Sequence, residues 1–250
     1  MNEADAVLCV SRYTKNCIAQ QYNVPRQKIR VVHNGVGLLR SGGDGFISRH
    51  GIPENKKVVL FVGRLVDQKG VSHFLEICRQ LLQKSNNYCF VVAGTGPLET
   101  WMKEQVQSHG ITEHVFLLGF LSREETTNAF STADVFLMPS ESDPFGLVAL
   151  ESSILGCPVI ISSKSGAAEV LPSAIKCDPS DIVAWVENVE RILSDNVFRK
   201  KYCKSLRREA KKCSWDQCTA GILDCYRVVC WPVQVQICGI FQIQLCFKFF

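Results

Sequence analysis

The feature that most constrains this chain is a regular alternation. Short apolar runs rich in β-branched residues take turns with longer segments of helical periodicity. Eight runs read as strands, at 6–10, 29–33, 58–63, 89–94, 115–118, 135–138, 158–161 and 174–177. They are near-continuously apolar, as strands covered on both faces must be. Helical patterns lie between and after them, at 13–22, 71–83, 98–108, 123–131, 146–155 and 182–193, then at 196–210 and 215–229. Strand alternating with helix implies parallel strands joined by crossovers. The expected fold class is therefore α/β, a doubly wound, mostly parallel, Rossmann-like sheet.

Two stretches break the pattern. Residues 38–45 (LLRSGGDG) hold three glycines, a serine and an aspartate, which reads as loop or linker. We therefore expect residues 1–37 to be the end of a preceding domain, 38–56 a linker, and 57–229 a self-sufficient six-stranded domain. The tail, 230–250, is apolar but carries four glutamines and a lysine, and Pro232 stands near its start. A membrane-spanning helix wants about 20 mostly apolar residues. Val233, Val235 and Ile237 instead alternate with Gln234 and Gln236, a strand-like pattern. The tail reads as lying outside the domain, with a membrane anchor as the lesser alternative.

Composition narrows the class. The chain is 46% hydrophobic and 21% charged, ordinary for a globular protein, so disorder is not the expectation. Its net charge of +4 is mild. The nearest thing to a basic run is Arg199, Lys200, Lys201, Lys204, Arg207, Arg208, Lys211 and Lys212. That spacing suits the solvated face of a helix; contact with an anionic membrane surface is the other reading, and no nucleic-acid partner is expected. The 13 cysteines are odd in number and none are spaced CxxC, which argues against a zinc ribbon or thioredoxin-type site. They read as reduced thiols of a cytoplasmic protein. Residues 1–5 are polar and bear two acids, unlike the start of a signal peptide.

In open parallel sheets ligands bind at the carboxyl ends of strands, and four unusual loops fall there. The first is Gly63-Arg64-Leu65-Val66-Asp67-Gln68-Lys69-Gly70. It sets two cations beside a helix N-terminus, an arrangement that suits a phosphate, although two solvated cations around a tight turn would read alike. The second, Gly94-Thr95-Gly96-Pro97, permits close backbone approach, with Pro97 suited to a first helical turn. It is not a dinucleotide fingerprint, because the third glycine of that pattern would fall at Glu99. The third runs from Pro139 to Glu151. Gly146 stands where a helix should begin, Asp143 precedes it as a cap or a group facing a sugar, and Glu151 lies on a largely apolar helix where an acid needs a partner. The fourth, Ser162 to Glu169, is a small-residue loop whose Glu169 can cap or approach a bound sugar.

Taken together, the segments VGRLVDQKG, VVAGTGP, VFLLGFLSREE, ADVFLMPSESDPFGLVALES, GCPVIIS and SGAAEV resemble glycosyltransferase family 4, with its glycogen-synthase-like GT-B fold. The resemblance covers roughly residues 4–229. It implies a retaining transferase that takes a nucleotide-sugar donor, and for this chain the C-terminal, donor-binding half of the fold. It gives Arg64, Lys69 and Asp143 catalytic roles, the two cations holding the diphosphate. It places donor binding at Gly63, Gly94, Gly96, Phe120, Phe145, Gly146, Leu147, Val148 and Glu151, with Glu151 on the ribose and the base near Gly94 and Phe120. No metal or other cofactor is expected, and no Asp-x-Asp dyad is present. The acceptor, whether sugar, lipid or small molecule, is not legible.

The sequence also departs from the family. Two glutamates usually stand eight positions apart, and here the first is Asp143, one methylene shorter. A paired glycine before the last acid is Ser165-Gly166. Residues 1–35 resemble only the end of the acceptor-side domain, so the expectation is donor binding with poor transfer by this half alone. A non-catalytic nucleotide-sugar-binding module is the main alternative. A nucleotide-sugar epimerase and a nicotinamide-dependent oxidoreductase are weaker ones.

Overall fold

The computed structural model describes residues 3–37, 39 and 45–230; the expectations for 38 and 40–44 and for the tail at 231–250 lie outside the described residues. The chain opens with a small parallel unit, β1 (Val7–Cys9), α1 (Arg12–Gln21) and β2 (Ile29–Val31), in which Val7 faces Ile29 in register. Its own small core is Cys9, Val24 and Ile29.

The main body follows as α2 (Phe46–Arg49), β3 (Lys57–Val62), α3 (Val71–Lys84), β4 (Tyr88–Ala93), α4 (Glu99–Ser108), β5 (Val115–Gly119), α5 (Arg123–Thr132), β6 (Val135–Met138), α6 (Leu147–Leu155), β7 (Val159–Ser162), α7 (Ala167–Val170), β8 (Ile175–Cys177), α8 (Ile182–Ser194), α9 (Asn196–Ala210) and α10 (Trp215–Cys230). The expected doubly wound α/β sheet is present. Six strands pair in parallel in the order β5-β4-β3-β6-β7-β8. Every residue of β4, β6 and β7 is buried, which is why those runs lack alternation. The helices show the opposite pattern. α3 buries Val71, Phe74, Leu75, Ile77, Cys78 and Leu81, one stripe at helical spacing.

Local signals set several boundaries. Ser122 and Glu125 form a reciprocal capping box at the start of α5. On α9, Asp195 accepts the N–H groups of Val197 and Phe198, while Tyr202, Leu206 and Ala210 face the core. Lys200, Lys201, Lys204, Arg207, Arg208, Lys211 and Lys212 lie exposed on the other side.

Some expectations change. Residues 45–56 are not plain linker, because α2 buries Phe46, and Ile52 just beyond it is also buried, in the main core. Flanking Gly45 and Gly51 hid so short a helix. Pro97 sits in a turn ahead of α4, whose first residue is Glu99, because Leu98 N–H is already committed to the carbonyl of Leu65. The loop after β7 contains the short helix α7. Finally, α10 and the turn before it return to the segment that follows β2: Val36 N–H donates to the carbonyl of Cys213, and Gly221 of α10 packs on Val32. It leaves Trp215, Leu223, Tyr226 and Val228 exposed. Among the described residues no helix is long and apolar enough to cross a membrane.

Candidate functional site

Strand order fixes where a ligand can sit. From β3 the chain winds outward to β4 and β5, then returns to the other side of β3 to build β6, β7 and β8. The reversal falls between β3 and β6. Loops leaving adjacent strands in opposite directions open a crevice at their carboxyl ends. The two loops bounding it are 63–70 and 139–146, and Glu141 N–H donates across it to the carbonyl of Gln68.

The cations of the first loop differ in their surroundings. Arg64 is exposed and has no ion-pair partner among the described residues. Lys69 Nζ donates to Asp143 Oδ2 at 2.6 Å. The side chain of Asp143 is only 5% exposed and that of Lys69 29%, so the pair presents its ammonium to the crevice. Asp143 Oδ1 accepts the N–H of Phe145 at 3.1 Å, which sets the turn into α6. The two residues read separately from the sequence thus form one unit.

Gly146 caps the start of α6 with φ of 85°, in the left-handed region, and a Cβ there would stand 2.9 Å from Met138 Cε. This backbone turn lets the first-turn N–H groups of Leu147 and Val148, which have no carbonyl one turn back, open the helix. Phe145 is buried behind them.

A pocket of ≈ 370 Å³ adjoins the crevice, lined by Gly63, Arg64, Gly94, Thr95, Phe120 and Leu121 among others. Phe120 stands at its edge with 80% of its surface exposed. Gly96 lies off the pocket, against the Leu65 backbone. A smaller pocket of ≈ 180 Å³ is lined by Glu151, Arg123, Thr127, Phe130 and Leu39, and shares Leu121 and Thr126 with the first. Glu151 therefore faces a hollow next to the larger one. Burial raises its pKa and the charge of Arg123 opposes the shift. Among the described residues the Glu151 carboxyl has no ion pair or hydrogen bond, and Arg123, in the same pocket lining, acts on it through its charge alone.

The rim carries groups the sequence did not single out. His73 pairs with Glu141, whose carboxyl this bond holds below its ordinary range. Lys164 Nζ lies 3.6 Å from Glu141 and 3.8 Å from Asp178. Glu169 caps a helix, but a distant one, taking the N–H groups of Arg12 and Tyr13 at the start of α1. No local signal links positions so far apart. A further hollow of ≈ 540 Å³ is lined by Lys204, Arg207 and Arg208 on α9, Lys211 just after it and Gly156 at the end of α6. It lies away from the strand ends.

A doubly wound sheet with two cations and an open helix N-terminus at its switch point has its candidate site where open α/β sheets bind ligands. Comparison with known proteins makes this specific. Residues 45–213 match the family model described as glycosyl transferases group 1, and residues 1–39 match that of glycosyltransferase family 4. The chain belongs to the group 1 glycosyltransferases. An uncharacterised glycosyltransferase of Methanocaldococcus jannaschii is 30% identical over 90% of the chain and 60% of the relative. D-inositol 3-phosphate glycosyltransferase of Salinispora arenicola is 28% identical over 90% of the chain and 55% of the relative. The chain thus spans little more than half the length of these relatives. Among solved structures, Anabaena HepE in complex with UDP-glucose superposes with a TM-score of 0.80 at 18% identity, covering 91% of this chain and 65% of that one. Sucrose-phosphate synthase of Thermosynechococcus elongatus gives 0.77 at 22% identity, covering 91% and 59%. The fold is that of the C-terminal half of a GT-B glycosyltransferase.

Proposed function

We propose that this chain is the donor-binding part of a retaining glycosyltransferase, which holds a nucleotide sugar and delivers the sugar to an acceptor. One observation carries the reading: Arg64, the Lys69–Asp143 pair and the opening of α6 converge at the switch point between β3 and β6. Phosphate oxygens there meet fixed positive charge and backbone N–H groups together. When the bond from the sugar to the diphosphate breaks, negative charge grows on the leaving oxygen. Preorganised cations and amides at that point lower the barrier. The scheme draws its positive charge from the protein and requires no metal or other cofactor.

The remaining roles follow the pockets. The base lies in the ≈ 370 Å³ hollow over Gly94 and Thr95, against Phe120. The ribose lies toward Glu151 in the adjoining hollow. Asp143, nearly enclosed and committed to Lys69 and the Phe145 N–H, acts on the donor by holding Lys69 and the turn into α6. The solved complex of HepE with UDP and glucose supports UDP-glucose as the first donor to try. The test is proton NMR of the sugar transferred or released from UDP-glucose. An α-anomeric product, matching the donor, is expected. A β-anomeric product would overturn retention, and failure of UDP to compete with donor would overturn the site.

A further inference from the structure

The small first unit and the donor loop are held together by an unusual concentration of bonds around one carboxylate. Glu169 Oε2 accepts the N–H of Arg12 at 2.9 Å, and Oε1 accepts that of Tyr13 at 2.9 Å. These are open donors at the start of α1, where the helix dipole also favours an anion. His33, just beyond β2, adds its Nε2 at 3.0 Å from Glu169 Oε2. One acid of the main body therefore binds the first unit at two separate places, α1 and the segment after β2.

The same turn of α1 reaches the loop that starts α6. Ser11 Oγ donates to the carbonyl of Pro144 at 2.6 Å, and Thr14 Oγ1 donates to it at 3.2 Å. Tyr13 Oη lies 3.1 Å from Ser142 Oγ. The His33 ring stands 5.9 Å from that of Phe145. Loop 163–166 closes the cluster, since Asp143 N–H donates to the carbonyl of Lys164 and Gly166 N–H to that of Asp143. No side chain fits at Gly166, where a Cβ would lie 2.4 Å from the Pro144 carbonyl and 2.7 Å from Ser11 Cβ. Three segments thus meet around Asp143 to Gly146, the turn that aims both Asp143 and the α6 N-terminus.

We propose that Glu169 is a positioning residue that pins the start of α1 against the 142–146 turn, so that the first unit sets the geometry of the diphosphate site. The pinning stands on the contacts alone, while its effect on donor binding rests on the function proposed above. Cutting the pin frees α1, and the 142–146 turn loses its support from Ser11, Tyr13 and Thr14. The phosphate-binding amides of α6 then lose their fixed aim, although neither Lys69 nor Arg64 has been touched.

The experiment pairs amide hydrogen exchange with calorimetric titration of UDP, on the full chain and on Glu169→Ala and Glu169→Gln. In Glu169→Ala, exchange is expected to rise together in segments 11–15 and 142–148 while β3 stays protected, and UDP affinity to fall by about tenfold, the scale of one charge-assisted hydrogen bond. Glu169→Gln keeps an acceptor for one N–H and should recover part of both effects. A merely structural Glu169 would lower the melting temperature and leave the UDP affinity of the folded protein unchanged, and that result overturns the proposal. Faster exchange confined to 11–15 also overturns it. If the unaltered chain binds no UDP, the donor assignment fails, and the pin is then judged by whether the two segments loosen together.

Discussion

Lys69 and Asp143 form one ion pair, yet removing either partner should have very different consequences. Asp143 is nearly enclosed and Lys69 is not, with side-chain exposures of 5% and 29%. Replacing Lys69 by Met leaves a buried carboxylate with one remaining donor, the N–H of Phe145 at 3.1 Å. Stranding a buried charge costs about 3–5 kcal/mol. The opening that exposes Lys69 would admit some water, so the lower end, about 3 kcal/mol, applies. Replacing Asp143 by Asn keeps an oxygen for Phe145 and lets the ammonium turn toward the crevice. That change forfeits one hydrogen bond, about 1 kcal/mol. The difference of about 2 kcal/mol corresponds to roughly 4–8 °C in melting temperature for a chain of this size. Thermal unfolding of the ligand-free protein, followed by circular dichroism at neutral pH, measures it. Lys69→Met should melt well below Asp143→Asn. Equal losses, or a larger loss in Asp143→Asn, would refute the reading of Asp143 as the enclosed partner.

Other residues give further tests. Phe120 is mostly exposed, so Phe120→Ala should change stability by no more than about 0.5 kcal/mol, yet weaken UDP by about tenfold through lost stacking on the base; unchanged affinity would move the base elsewhere. Burial raises the pKa of Glu151. An acid with a raised folded-state pKa favours folding below its unfolded pKa, and that contribution is lost as pH rises through the folded value. Glu151→Gln should therefore be more stable than the unaltered chain to urea at neutral pH, with no advantage near about pH 4, and should weaken UDP more than pyrophosphate. Glu169 has the opposite sign: burial pushes its carboxyl up, but the N–H groups of Arg12 and Tyr13 and the bond to His33 outweigh this and hold it below its usual range. Its stabilising contribution is present above the ordinary carboxylate pKa and lost as pH falls through the lowered value, so the protection of segment 11–15, taken relative to the intrinsic exchange rate at each pH, should fall in acid.

The sheet was legible because its strands are buried on both faces, and runs such as 89–93 and 135–138 can hardly be anything else. The loops of the site were legible because glycines and cations cluster after those runs. Tertiary pairing was not. Nothing near Asp143 in sequence says that Lys69 neutralises it, and nothing near Glu169 says that its donors are Arg12, Tyr13 and His33. Sequence also assigned 45–56 to a linker, since a four-residue helix shows too little periodicity to reveal that Phe46 enters the core. Pro97 was placed in a helical turn on its preference alone, and the bond from Leu98 to Leu65 overrode that preference.

The measurement that bears most directly on the central claim is calorimetric titration of UDP, GDP and ADP into the chain and into Arg64→Ala. Arg64 is exposed and unpaired among the described residues, so its loss should leave the fold intact. One nucleoside diphosphate is expected to bind saturably and to weaken by tenfold or more in Arg64→Ala, about the worth of one charged contact to a phosphate. Equal affinity in the two proteins, or no binding of any of the three to the folded chain, would contradict a donor site at the switch point between β3 and β6.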